Sequence, residues 1–461
     1  MLDLRQSEIL ILNEIFNSPK CSVVAVTGQK GMGKSTLIRH FVSDKEAYYY
    51  DALETTGKHQ LEIMASFFGI KNPKNINSVL DKITAAAANG PVAFVIDSYP
   101  NFYKSDAAFN EALIKYVSEN WSELPVTLIL IGDEFVLMDK NVLSKKSKWK
   151  DIKIDNICLK KLGFYDSRKF FENLNVEQAA YLYGITGGIS YNLARVATDA
   201  NEVDLKEVTT KLFLAKDTAT GLNPMDVMST ELRELSYYNH LLVSLASGLN
   251  RVNQISAEVD KPKDVVVPYL NSLMAIDICT KDTAITELNN RKKTRYSIVN
   301  TSTYFWYKFI ATNYGAYCAG DSDCLWNAIE AGFSDFMQRV FIEICSEYLM
   351  KSAKEDKLPF TVDAIGNWWV NDDEAGTTDG FDLVALGDYQ SKDATVFAQC
   401  YYIDKPVELT QLKSLIDKTK QMSRKGDAFY LVFSKKGFHE NAITASSAIP
   451  NIMLITLDDM E

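Results

Sequence analysis

Eight consecutive residues, Gly28-Gln29-Lys30-Gly31-Met32-Gly33-Lys34-Ser35, fit G-x-x-x-x-G-K-[ST] in full. They lie between a β-branched run at Ser22 to Val26 and a helical pattern from Ser35 to Val42. The chemistry of such a run is phosphate binding. Glycines let backbone N–H groups turn inward around a β-phosphate, the helix N-terminus adds the positive end of its dipole, and Lys34 reaches the β and γ oxygens. Ser35 is placed to hold a magnesium ion, with Thr36 next to it in the same phosphate-facing run. A second element lies in VAFVIDSYPN, where an apolar run ends in Asp97. A carboxylate at the tip of a buried strand suits the Walker B role of holding that magnesium. The expected ligands are therefore ATP or a related purine nucleoside triphosphate and Mg2+, bound by Gly28, Gly31, Gly33, Lys34, Ser35, Thr36 and Asp97, with Ser35 and Asp97 on the metal.

Position 98 argues against fast hydrolysis. ATPases of this kind usually carry a water-positioning glutamate directly after the aspartate, and here the residue is Ser98. Losing such a group commonly costs on the order of 100- to 10,000-fold in rate. Strand alternation would point residue 98 away from Asp97, toward the place of an attacking water. Asp133 and Glu134, at the end of the next strand, either bring a carboxylate near the γ-phosphate or form an ordinary acidic turn. No catalytic residue is assigned.

The elements that must position these groups are readable in outline. From Ser22 to about Ile157 the short runs SVVAVT, AYYYDA, VAFVID, VTLILIG and DIKIDNI alternate with helical patterns, which implies a parallel sheet covered on both faces. Helices follow to about Leu214, broken at Gly187-Gly188. Residues from Thr230 to Val299 read as three helices and two strands, AIDICTK and TRYSIV, flanking a basic tip. A long helix from about Cys324 to Lys351 then precedes the strands FDLVAL, TVFAQCYY, AFYLVF and IMLIT, with one more helix near Leu412 to Met422. At 461 residues, 47% of them hydrophobic, the chain is long enough for three or four cores. The net charge of -11 disfavours a broad nonspecific grip on nucleic acid. Seven scattered cysteines without a C-x-x-C pair point to a reduced, cytoplasmic setting, and four dispersed histidines give no zinc spacing. No apolar stretch approaches the roughly 20 residues of a membrane helix, so the expectation is a soluble, untargeted protein.

These features together resemble the prokaryotic AAA+/STAND-related ATPases. Leu4-Arg5 with Glu8 is similar to that family's N-terminal helix, which implies a place for Arg5 beside the adenine. GGISYNL resembles the family's lid motif, with Ser190 where proline is usual, and Arg195 on the following helix is either a γ-phosphate sensor or a surface arginine. The arginine usual before the fifth strand is missing from KKSKWKDIKI. YLNSLMAIDICTK resembles the family's winged helix, implying possible DNA contact through Asn271, Ser272 and the cluster Arg291, Lys292, Lys293, Arg295, although Val265, Val266, Val267, Leu270, Leu273 and Met274 on the same helix have a spacing suited to packing. The last part resembles a PD-(D/E)xK nuclease module through Trp368-Trp369, FDLVALG and VFAQCYY. Asp382 is in place there, but Gln399 and Tyr401 stand at the E-x-K positions, which implies an inactive site unless Glu343 with Lys405 or Lys413 compensates. The implied fold is α/β: a P-loop parallel sheet (1–160), a helical lid (161–222), a winged helix-turn-helix (223–323) and a restriction-endonuclease-like α/β domain (324–461).

Three functions compete on this reading: a nucleotide-dependent switch with slow or no hydrolysis, an ATPase remodeller, and an ATP-controlled DNA-binding or nuclease protein. The partners implied are ATP or ADP, DNA through the winged helix, and a protein partner or second copy, with no membrane. Lys34→Ala is expected to weaken triphosphate binding roughly 10- to 150-fold, since a hydrogen bond to a charged group contributes about 1.5 to 3 kcal/mol. Titration with a fluorescent ATP analogue measures this, and an unchanged affinity would remove the P-loop reading.

Overall fold

Apolar runs too short for helices, and buried on both sides, become inner strands of a covered sheet. Ser22–Thr27 (β1), Ala47–Asp51 (β2), Val92–Asp97 (β3), Val126–Ile131 (β4) and Ile154–Cys158 (β5) form a five-stranded, wholly parallel sheet in the order β2-β3-β4-β1-β5. The computed structural model describes residues 2–214, 223–285, 294–372, 377–422 and 426–461. The twofold alternation of side chains divides the sheet between two cores. Val23, Ala25, Phe94, Ile96, Leu128 and Leu130 face one side, filled by helices Gly57–Phe67, Asn77–Ala87, Tyr99–Ser105 and Ala107–Tyr116. Val24, Val26, Ala93, Val95, Ile129 and Ile131 face the other, closed by α1 (Gln6–Phe16) and α2 (Lys34–Phe41). Because every strand runs the same way, Thr27, Asp51, Asp97 and Ile131 all emerge at one edge, the usual place for a ligand in such sheets.

The chain forms two compact units. Met1–Lys161 carries this sheet and gathers Ile189–Tyr191 and Met225–Arg233 to it, while Leu162–Gly188, Asn192–Pro224 and Glu234–Glu461 form the second. Of the segment 161–222, helix Val176–Thr186 belongs to the second unit, and Ile189–Tyr191 to the first.

In the second unit, helices Leu235–Ala246, Val252–Glu258 and Lys263–Ala275 precede an antiparallel hairpin of Cys279–Thr283 (β6) and Thr294–Ile298 (β7). The hairpin begins later than AIDICTK suggests, because Asp277 adopts a left-handed turn at φ 59°. Helix Lys263–Ala275 buries Val266, Leu270 and Leu273, the spacing of a packing face. Of the basic tip, Arg291, Lys292 and Lys293 lie outside the described residues. A 33-residue helix, Ser322–Lys354, follows. It leads to a five-stranded mixed sheet of Ala364–Asp372 (β8), Thr377–Tyr389 (β9), Lys392–Tyr401 (β10), Asp427–Ser434 (β11) and Ile452–Thr456 (β12), ordered β12-β11-β10-β9-β8. β8, β9 and β10 are antiparallel neighbours, while β10, β11 and β12 run parallel. The sequence reading omits β8, whose alternation is interrupted by a register shift between Gly366 and Trp368. Gln338 on the long helix stands in for a missing strand at the end of β10: its side-chain amide donates to the Cys400 carbonyl and accepts from the Tyr402 N–H, each at 2.9 Å. Among the described residues no helix is long and apolar enough to cross a membrane.

The Gly187-Gly188 pair has two separate causes. Helix Val176–Thr186 ends on Gly187 in the left-handed conformation, its carbonyl held by Asn300 Nδ2 at 3.0 Å. Gly188, at φ 67°, accepts from the Leu162 N–H at 2.8 Å, so close that a Cβ would lie 2.1 Å from the Leu162 oxygen. Gly188→Ala is expected to destabilise the second unit by at least about 2 kcal/mol, strain and backbone clash acting together. Calorimetric unfolding reads the effect, and a transition temperature unmoved from wild type would contradict the close approach.

Candidate functional site

The loop between β1 and α2 is shaped to surround an anion. Gly28, Gly31 and Gly33 sit at φ 142°, 88° and 90°, where a side chain would be strained. Two of them are also crowded: a Cβ on Gly28 would lie 2.6 Å from the Leu159 oxygen, and one on Gly31 would lie 2.9 Å from Ile189 Cγ2. Residues of the expected lid motif thus brace the loop from outside. The Tyr191 N–H donates to the Gly31 carbonyl at 2.9 Å, and the Ser190 hydroxyl donates to the Met32 carbonyl at 3.2 Å. Serine in place of the usual proline gains a hydrogen bond to the loop.

Lys34 opens α2, only 8% exposed, with its ammonium donating to the Gly28 and Gln29 carbonyls at 2.8 and 3.0 Å. Burial pulls its pKa below the ordinary lysine value, and the charges of Asp133 and then Asp97 oppose that shift. A desolvated ammonium beside a loop of three positive-φ glycines fits the phosphates of a nucleotide. Ser35 and Thr36 follow on the first turn, Ser35 half-buried and Thr36 exposed. Ser35 with Asp97 are the residues that would hold a magnesium ion.

Asp97 is buried at the end of β3, and both of its oxygens are occupied. Oδ1 accepts from the Ser98 N–H at 2.8 Å, and Oδ2 accepts from the Tyr49 hydroxyl. Burial and the adjoining carboxylate raise the Tyr49 pKa far above the usual phenol value, so it stays a proton donor. The Arg39 guanidinium lies 4.1 Å from the Tyr49 ring centre and pairs with Asp51 at 3.4 Å. The expectation for residue 98 fails. Ser98 has left the strand for a left-handed turn, φ 54°, into helix Tyr99–Ser105, and its hydroxyl donates to Asp51 Oδ1 at 3.2 Å. A glutamate at 98 would meet Asp51.

The two acidic residues beyond β4 separate. Asp133 exerts the strongest of the acidic fields on Lys34, whereas Glu134 is paired with Lys104 at 2.7 Å. Behind them, Glu231 accepts from the Phe135 and Val136 N–H groups at 2.9 and 2.7 Å, capping the start of helix Phe135–Met138, and burial raises its pKa. Arg5 donates to the Lys160 carbonyl at 2.6 Å and to Glu8 at 3.2 Å, tying the start of α1 to the exit of β5. Arg195 falls in the second unit. Tyr49, Asp51 and Glu231 escaped the sequence reading, since no local spacing marks contacts made across 47 to 96 positions.

In the second unit, Asp382 Oδ2 on β9 accepts from Gln399 Nε2 at 2.6 Å and from the Cys400 N–H at 2.8 Å, and burial raises its pKa to about 6. Gln399, at the position where the resemblance expects a glutamate, thus serves as a hydrogen-bond donor to Asp382. Lys405 and Lys413 are exposed, and the lysine whose charge reaches Asp382 is Lys418. Glu343 accepts from the Tyr183 hydroxyl. Among the described residues no cluster of three His, Cys, Asp or Glu side chains has a metal-binding arrangement.

Comparison with known proteins finds similarity to one family model, one curated protein and several solved structures. Residues 306–412 match a family model, DUF234, described as archaea bacterial proteins of unknown function. A protein of Methanocaldococcus jannaschii described as uncharacterized protein MJECL04 is 27% identical over 398 residues, covering 84% of this chain and 85% of its own length. Among solved structures, the Walker-type ATPase PABY2304 of Pyrococcus abyssi is 17% identical over 66% of this chain and 95% of its own, with a TM-score of 0.48. The ORC2 protein of Aeropyrum pernix is 12% identical over 72% and 95%, with a TM-score of 0.44.

Tyr49→Phe is expected to raise the Mg2+ concentration needed for half-maximal MgATP binding about tenfold, because partners that orient a metal-binding carboxylate typically govern affinity by 10- to 100-fold. Titrating Mg2+ at fixed ATP measures it, and a midpoint equal to wild type would leave Tyr49 a packing residue.

Proposed function

We propose that this chain is an ATP-binding, magnesium-dependent switch of the AAA+/STAND-related class, with slow or no hydrolysis. The observation that carries the reading is the buried Lys34 ammonium, held on the Gly28 and Gln29 carbonyls where triphosphate oxygens would replace them. Magnesium would neutralise phosphate charge from Ser35 and Asp97. Gly28, Gly31, Gly33 and Thr36 shape the phosphate-facing run, and Arg5 would border the adenine from the start of α1.

Two connections from the site support a switch. Ile189–Tyr191 are bonded to the Gly31 and Met32 carbonyls, while the chain on either side of them belongs to the second unit. Glu231 holds the turn that follows Asp133. A change in loop shape on binding would therefore pull on two segments outside the core sequence, the kind of local event that biases a larger element. Slow turnover follows from Ser98, whose hydroxyl is engaged with Asp51 and which offers no carboxylate to water. The proposed organisation is a P-loop core at 1–160, a lid at 161–222, a winged helix at 223–323 and a nuclease-like domain at 324–461. The helix order with the β6–β7 hairpin supports the third. In the fourth, Asp382 bonded by Gln399 suits a module kept for binding rather than cleavage. DNA, a protein partner or a second copy are the candidates for what the switch controls.

Active ATPase is the second reading, favoured by Asp133, whose charge acts on Lys34 more strongly than that of Asp97. Equilibrium binding of ATP, ADP and GTP alongside phosphate release separates the two. The switch predicts binding with turnover well below the roughly 1 per second of ordinary enzymes. Ser98→Glu is expected to change that rate less than about threefold, for want of the geometry general-base catalysis requires. Turnover above 1 per second that Asp133→Asn lowers about 100-fold, with ATP affinity kept, would decide for the ATPase.

A further inference from the structure

The β6–β7 hairpin, the helix Ser322–Lys354 and strands β8 and β9 line a cleft of about 520 Å3 in the second unit, inside the roughly 300–1,000 Å3 range of small-molecule sites. Two arginines line it, and they differ. Arg339 is satisfied by the protein: its guanidinium lies 4.3 Å from the Tyr304 ring centre and donates to the Ile298 carbonyl, and Glu343 and Asp282 support its charge against burial. Arg295 is not. It stacks 4.2 Å from the centre of the Trp369 ring, and its buried Nε has no hydrogen-bond partner among the described residues. Burial and the like charge of Arg251 push its pKa down to about 10, and no described carboxylate offsets them. A desolvated guanidinium with an unpaired donor is costly unless an anion offsets its charge. Stacking on an indole holds the planar fork ready for two-point recognition of an oxyanion.

The rest of the lining narrows the ligand. Asp282, Asp335 and Glu343 border the same cleft. Three carboxylates accept hydrogen bonds from hydroxyl groups and leave Arg295 to hold one anionic group, so a ligand with a single charged group and several hydroxyls suits the cleft better than a long polyanion. We propose that this cleft is a binding site for a small phosphate monoester bearing hydroxyl groups, of sugar-phosphate or mononucleotide size, with Arg295 on the phosphate and Trp369 as its platform. The site is independent of the P-loop reading and gives the second unit a ligand of its own.

The test uses the full chain carrying Lys34→Ala, so that the P-loop contributes little, with calorimetric titration of ribose 5-phosphate, adenosine 5′-monophosphate, inorganic phosphate and a 20-nucleotide single-stranded DNA. Ribose 5-phosphate or adenosine monophosphate is expected to bind more tightly than inorganic phosphate. Adding Arg295→Gln is expected to weaken that binding roughly 10- to 150-fold, the scale of a lost charge-assisted hydrogen bond. Arg295→Lys keeps the charge without the fork and is expected to lose at least about fivefold; it serves as the reading if the glutamine variant does not fold. Binding unaffected by either substitution, or no binding by any small probe, overturns the proposal. Preference for the DNA strand, lost with Arg295, overturns it in favour of a nucleic-acid surface.

Discussion

A lysine ammonium removed from water is the constraint around which the first unit is arranged. Lys34 is buried at the start of α2, where it is stable only because two loop carbonyls receive its protons and two carboxylates lie within reach of its charge. Those carbonyls are in position only while the loop keeps its left-handed turns. The turns in turn depend on glycines pressed against Leu159 and Ile189 and on hydrogen bonds from Ser190 and Tyr191. Loop conformation, lid residues and the charge state of the site are therefore one linked system. An incoming triphosphate would replace the carbonyls as acceptors, releasing them to move.

The other side of the site is built with the same economy of open positions. Asp97 has both oxygens engaged, one by Tyr49 and one by the backbone of Ser98, while Ser98 and Arg39 both bind Asp51. Residue 98 is thus a structural link between two strand ends. That arrangement fixes the orientation of the Asp97 carboxylate, and it commits the Ser98 hydroxyl to Asp51.

The second unit keeps a complete mixed sheet while the polar centre of that sheet has been turned inward. Gln399 and the Cys400 N–H donate to Asp382, and Gln338 pairs with the end of β10 beyond its pairing with β9, so these polar groups stabilise the fold. Arg295, stacked on Trp369, has a buried Nε without a hydrogen-bond partner among the described residues.

The sequence by itself determined what local spacing can determine. The inner strands β1, β3 and β4 were legible because buried parallel strands are continuous apolar runs, and the phosphate loop was legible because its residues are consecutive and each glycine answers a backbone need. Where the spacing is not local, the reading stopped. Strand alternation placed residue 98 wrongly, since a strand's end conformation depends on what it turns into, here a helix reached through a left-handed serine. β8 was missed because a register shift interrupts its period. Only the tertiary structure brought Tyr49 to Asp97, Asp51 to Ser98, Glu231 to Val136 and Arg295 to Trp369. These are single long-range contacts between side chains of ordinary type, and their meaning comes from burial, which no residue carries in its own name.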